Sequence, residues 1–219
     1  MRKLSILSAA GLVLGATLMT TAAQADSFSY GQGDFYTRLG LAKVAPKSDN
    51  GDIGIVADRV DIKDDTGFAF TLGYRFLDKF GVELLAAAPF TQDFDLHGGA
   101  GDGLDGSVKH LPPTLTLQFY PLGGTGARVQ PYIGAGVNYT HIWDEKVNAD
   151  GVSLDADDSW GLAGQLGVDL LIDDHWAVNA SAWYIDIDSD ATVNVGGTNY
   201  DTTLNIDPVV VMGGISYRF

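Results

Sequence analysis

Asp186, Asp188 and Asp190 stand two residues apart. On an extended chain that spacing puts three carboxylates on one face, an arrangement suited to a hard cation. A solvated acidic rim explains the same pattern and is the preferred reading. Gly98-Gly-Ala-Gly-Asp-Gly-Leu-Asp-Gly106 is similar to one calcium-binding nonapeptide repeat. A single copy cannot build the stacked sites that hold calcium, so a flexible acidic loop is expected. His97, His110, His141 and His175 show no metal spacing such as H-E-x-x-H, and the chain has no Cys, so neither a zinc site nor any other cofactor is expected. A nucleophilic hydrolase would need Ser, His and acid to meet. Ser181 points inward and low, Ser153 and Ser159 lie in or beside a loop, and none has an evident His partner. The chain does not read as an enzyme.

A different chemistry is carried by Arg38, Arg75, Glu83, Asp169 and Arg218, with Gln118, Gln165 and Asn179 nearby. All fall on the strand parity opposite to the large apolar residues. A charge enclosed in a narrow lumen is costly unless partnered or hydrated. These five are therefore expected to pair and to close one end of the lumen as a polar floor. Farther along, the same parity turns apolar through Leu85, Ala87, Pro89, Pro112, Ile142 and Trp183. A polar floor under an apolar upper lumen suits a hydrophobic solute arriving from outside, not a water-filled general porin.

The elements that must position these residues are strands. Phe68, Phe70, Leu72, Tyr74 and Phe76 alternate with Ala69, Thr71, Gly73 and Arg75, the clearest period-2 run in the chain. Similar runs cover Leu111–Tyr120 and Trp160–Leu170, and weaker ones begin at Phe35, Val82, Ile133 and Trp176. The ending from Asp207 puts Val209, Val211, Gly213, Ile215, Tyr217 and Phe219 on one face. That makes eight strands. A terminal aromatic at the end of such a strand would fray in water; it fits a barrel closed against lipid.

The first 25 residues set the compartment. Arg2 and Lys3, an apolar stretch from Leu4 to about Met19, and Ala23-Gln24-Ala25 form the pattern of a cleaved secretory signal, leaving one domain over 26–219. Losing two positive charges leaves 11 Lys and Arg against 28 Asp and Glu, a net of −17. So acidic a chain is not built for nucleic acid. Nothing after the signal approaches the ~18 consecutive apolar residues of a membrane helix.

Connections alternate in length. Leu77-Asp78-Lys79, Pro121–Gln130 and Asp173-Asp174-His175 are short; 47–65, 95–109, 144–158 and 189–202 are long and polar. Short turns at one end and long loops at the other describe an outer-membrane barrel. A lipocalin also has eight strands but keeps its apolar side inward; here the polarity is reversed. Aromatics on the apolar parity fall at two levels: Phe35, Phe76, Phe119, Trp176, Tyr217 and Phe219 near the short turns, and Phe90, Tyr139, Trp143, Trp160 and Tyr184 near the long loops. Two such levels match the interfacial girdles of a ~25 Å apolar band. The fold expected is all-β, an eight-stranded antiparallel transmembrane barrel with short periplasmic turns and long extracellular loops.

Several stretches together resemble the OmpW family, which includes AlkL and OprG: Gly81–Phe90 (GVELLAAAPF), His110–Leu115 (HLPPTL), Pro131–Tyr139 (PYIGAGVNY), Ser159–Asp169 (SWGLAGQLGVD), Trp183–Asp188 (WYIDID) and the ending Ser216-Tyr-Arg-Phe219. The resemblance covers essentially the whole chain after the signal. It implies a barrel of the Gram-negative outer membrane that admits small, mostly hydrophobic molecules, with a narrow lumen and passage ending at a side opening. It implies nothing about which solute.

Proline locates a candidate opening. Pro89, Pro112 and Pro113 lie in neighbouring strands, and each removes a ladder donor. Lipid supplies no water to satisfy the gap, so the wall is expected to part there. The function expected is passive uptake with lateral exit; the alternative is a receptor or structural barrel whose acidic loops bind a partner without significant transport. Expected partners are outer-membrane lipid and lipopolysaccharide, small hydrophobic solutes, and the barrel-assembly machinery through the strand ending at Phe219.

Overall fold

A computed structural model describes residues 30–47, 57–99 and 102–219. The signal expected over 1–25 lies outside the described residues, as do parts of two long loops. Fourteen strands are present among them, and eight close on themselves as the barrel wall. In chain order these are β1 (Phe35–Ala45), β3 (Asp65–Leu77), β4 (Phe80–Ala87), β7 (Thr114–Phe119), β8 (Val129–Val147), β10 (Ser159–Leu171), β11 (Trp176–Ile185) and β14 (Val209–Arg218). Each pairs antiparallel with its neighbours; β1 with β14 and β8 with β10 complete the ring.

Burial alternates residue by residue along the wall, and the apolar parity is outside. Leu41, Phe68, Leu117, Ile133, Leu162 and Leu166 are each more than half exposed, while Arg38, Thr71, Glu83, Gln118 and Asp169 are sealed within. An unbroken apolar belt around a closed barrel belongs to lipid, since a soluble surface rarely shows apolar patches above a few hundred Å². Trp160 and Tyr184 stand at one level of the belt; Phe35, Trp176 and Phe219 stand at the other, outside the short turns.

The remaining strands correct the expectation of irregular loops. β2 (Arg59–Ile62), β5 (Phe90–His97) and β6 (Asp105–Leu111) continue the wall sheet upward beside the long β8, while β9 (Val152–Ala156), β12 (Asp188–Val195) and β13 (Thr198–Asn205) form a separate sheet. The two sheets bury Val60, Phe94, Leu96, Ile142, Val193 and Leu204 between them. Their outer faces carry the acids, so the segments alternate with the opposite sense to the wall: water outside, apolar inside.

The belt gives a direct expectation. Leu166→Arg, in mid-wall on the outer face, will lower the stability of the lipid-inserted barrel by roughly 2–4 kcal/mol, measured by urea unfolding in vesicles.

Candidate functional site: floor, wall gap and throat

Toward the short-turn end one buried guanidinium gathers the inward-facing polar side chains. Arg38 on β1 donates from Nε and Nη2 to the two carboxylate oxygens of Asp169 on β10, at 3.1 and 2.6 Å, and from Nη1 to Glu83 on β4. All three side chains are fully buried. The remaining carboxylate lone pairs are taken by neighbours: Thr71, Gln118 and Gln165 donate to Glu83 at 2.9, 2.9 and 2.7 Å, and Asn179 donates to Asp169 at 2.8 Å. A buried ion pair is tolerable when its outer lone pairs are met in this way.

Tyrosines complete the floor. The Arg38 guanidinium lies 4.4 Å from the ring centroids of both Tyr36 and Tyr132, a cation held by two π-faces. Those rings can lie flat because Tyr36 pairs with Gly73 and Tyr132 with Gly167; a Cβ at either glycine would collide with the ring. Beneath them Tyr30, Tyr120, Leu171 and Ala177 pack with Tyr132. Tyr30, from the segment before β1, donates its hydroxyl to Asp169 at 3.2 Å.

Two of the five charges expected in this knot do other work. Among the described residues Arg75 meets no carboxylate; it lies 3.8 Å from the Tyr120 centroid and donates to the Asp78 backbone carbonyl. Arg218 pairs instead with Asp34 at 3.2 Å, below the barrel. The reason is geometric. Both stand nearer the turn end than Arg38, Arg218 opposite Tyr36 and Arg75 four residues beyond Thr71, the partner of Arg38 in the ladder. Sequence parity placed Arg38, Glu83 and Asp169 on the inner face, but the four tyrosines were not singled out. The available signal was Tyr36 two residues before Arg38 and Tyr120 two after Gln118, on the same inward parity.

The wall is interrupted well above the short turns. Between the 80–97 and 105–119 segments the ladder runs from Phe80↔Phe119 to Leu85↔Thr114 and resumes at Phe90↔His110. Ala86–Pro89 faces Leu111–Pro113 across the gap without a ladder pair. Four residues oppose three, so one strand carries an extra residue and its side chains change face. This corrects two expectations: Phe90 is turned inward, stacked on His110 at 5.8 Å, and Pro89 is exposed, not inward. Pro112 is buried, and Pro113 and Ala87 are half-buried. The far side of the 105–119 segment stays joined to β8, where Tyr139 N–H donates to the Pro113 carbonyl at 3.1 Å.

Above the floor the interior is apolar. Leu85, Phe90, Trp183, Ile185, Val210 and Met212 belong to one buried cluster, and Ile142 belongs to the next, between the two upper sheets. The cavity between those sheets holds about 30 Å³ and is lined by apolar residues. His110, on β6 above the belt, is pushed down to about 4 by burial, against a smaller opposing effect of Asp65; it is neutral at pH 7.

Of the acidic triplet, Asp186 and Asp188 come together with Asp207, their carboxylate oxygens within 4.8 Å, whereas Asp190 accepts from Thr203. Burial and the neighbouring Asp207 and Asp186 raise the Asp188 carboxyl above its usual range. Lys47 binds Asp207 at 2.8 Å and supplies one positive charge. Among the described residues none of Ser153, Ser159 and Ser181 hydrogen-bonds a histidine; Ser181 donates to Asn179 at 3.0 Å.

Comparison with known proteins agrees with this architecture. The sequence model described as the OmpW family matches residues 31–219. Outer membrane protein W of Escherichia coli K12 is 38% identical over 95% of this chain and 99% of its own length. The crystal structure of the outer membrane protein OprG from Pseudomonas aeruginosa superposes with a TM-score of 0.82 at 40% identity, covering 89% of this chain and 99% of that one. A protein of P. aeruginosa named for a dibenzothiophene metabolism operon, PahQ, is 31% identical over 73% of this chain and 74% of its own.

The floor predicts that Arg38→Met, which strands two buried carboxylates, will destabilise the inserted barrel by roughly 3–5 kcal/mol. Urea unfolding in lipid vesicles measures it.

Proposed function

The chain belongs to the OmpW family of outer-membrane barrels of Gram-negative bacteria, and we propose that it is a passive channel for small hydrophobic or amphipathic molecules. In this reading a solute enters from the extracellular end and leaves sideways through the wall. The observation that carries it is the ladder gap between Leu85↔Thr114 and Phe90↔His110. The strands bounding its lower edge, β4 with 8 residues and β7 with 6, are the shortest in the wall. A strand crossing the bilayer needs ~9–11 residues, so the gap falls within bilayer depth and opens toward acyl chains.

The floor supports the same route. Arg38, Glu83 and Asp169 with their amide and tyrosine partners fill the lumen below the gap, which leaves the side as the way out. The apolar cluster at gap height favours solutes that shed water readily. A relative named for dibenzothiophene metabolism accords with an aromatic or aliphatic cargo. No step here is chemical; the reading is of a conduit, not an enzyme.

Partners follow from the surfaces. Lipid covers the belt, the acidic upper sheets face the lipopolysaccharide headgroups, and Phe219, 75% exposed at the end of β14, is the residue offered to the barrel-assembly machinery.

Replacing Pro89 by Val restores a ladder donor at the gap. We expect uptake of n-octane by cells producing the variant to fall several-fold while the folded barrel, read by heat-modifiable gel mobility, forms normally; unchanged uptake would refute lateral exit. In planar bilayers the wild-type protein will show no stable porin-sized conductance, because the floor excludes a continuous water column.

A further inference from the structure

Gln92 and His110 are accounted for by neither floor nor wall. Both side chains point inward where the two apolar clusters meet. Gln92 stands between Phe90 of the lower cluster and Phe94 of the upper, on one face of β5. His110 stacks on Phe90 and pairs across the ladder with Ile142. With Phe90 opposite His110 and Gln92 opposite Val108, the two are diagonal neighbours, roughly 7–8 Å apart along the sheet.

Gln92 is 1% exposed and His110 3%. Among the described residues neither the amide oxygen nor the amide nitrogen of Gln92, nor Nε2 of His110, meets a partner. Buried polar groups are almost always satisfied, and each exception asks for an explanation. Three unsatisfied atoms on adjacent side chains, immediately above the wall gap, are aimed at whatever passes it.

We propose that Gln92 and His110 form a hydrogen-bonding subsite for the polar head of an uncharged amphipathic solute, such as an alcohol, ketone or amide, whose tail lies against Phe90 and Ile142. A carboxamide offers both a donor and an acceptor, and a neutral imidazole nitrogen offers one or the other according to tautomer. A hydroxyl can therefore give to one residue and take from the other. A carboxylate fares worse, because among the described residues the buried cations are Arg38 and Arg75, both at the floor. The solute's route to the subsite rests on the channel reading; binding at the subsite does not.

The test uses 1-octanol, n-octane and octanoate. With the purified protein in lipid nanodiscs, the side-chain nitrogen resonances of Gln92 and His110 will shift saturably with 1-octanol and not with n-octane or octanoate. Absence of that shift, or the same shift with n-octane, overturns the subsite without requiring a variant to fold. In cells, Gln92→Leu and His110→Phe will each lower the ratio of 1-octanol to n-octane uptake about three- to tenfold, the size expected for one lost hydrogen bond, with n-octane uptake retained. An unchanged ratio also overturns the subsite. Should cells with the protein take up neither probe faster than cells without it, the channel reading falls while the resonance shifts still decide the subsite.

Discussion

Acyl chains donate and accept no hydrogen bonds, and the barrel is arranged around that fact. Every backbone N–H and C=O at bilayer depth must find a partner in the next strand. Closure of β14 on β1 meets the demand at the seam. The apolar outer parity follows, because the same solvent penalises exposed charge, and the charged residues are driven into the lumen to neutralise one another. Beside Pro89 and Pro112 the ladder is interrupted, above the two shortest wall strands.

The floor shows how a charge is kept in such a lumen. Arg38 is a planar, weakly hydrated cation with a fork of donors. It spends its edges on Asp169 and Glu83 and its faces on Tyr36 and Tyr132. A lysine ammonium can sit over a ring but has no planar fork to meet two carboxylates and two rings at once. Gly73 and Gly167 belong to the same device, since only a residue without a Cβ lets each ring settle over the neighbouring strand.

Much of this was legible in the residues. Period-2 alternation located all eight wall strands and their inner faces, because side-chain direction in a strand is fixed by parity alone. It failed at Phe90 and Pro89, where one extra residue reverses the parity and nothing local announces the count. It also missed the upper strands: Phe94 and Leu96 alternate with Asp93 and Asp95, yet the acids made the segment look like loop. Which inward charges pair was beyond the sequence, because Arg75 and Arg218 differ from Arg38 only in height along the barrel.

Strand β8 runs unbroken for 19 residues, through the wall and into the upper sheet that holds β2, β5 and β6. Among the described residues the β9–β12–β13 sheet shares no ladder with that one and meets it through side chains across Ile142, Phe94 and Leu204. The mouth is thus a pair of leaves, both rooted in the wall: β8 runs into one, and β11 and β14 lead into the other through residues 186–187 and 206–208. Apolar side chains rather than a shared ladder hold the leaves together, so the mouth is greasy within although acids coat it without.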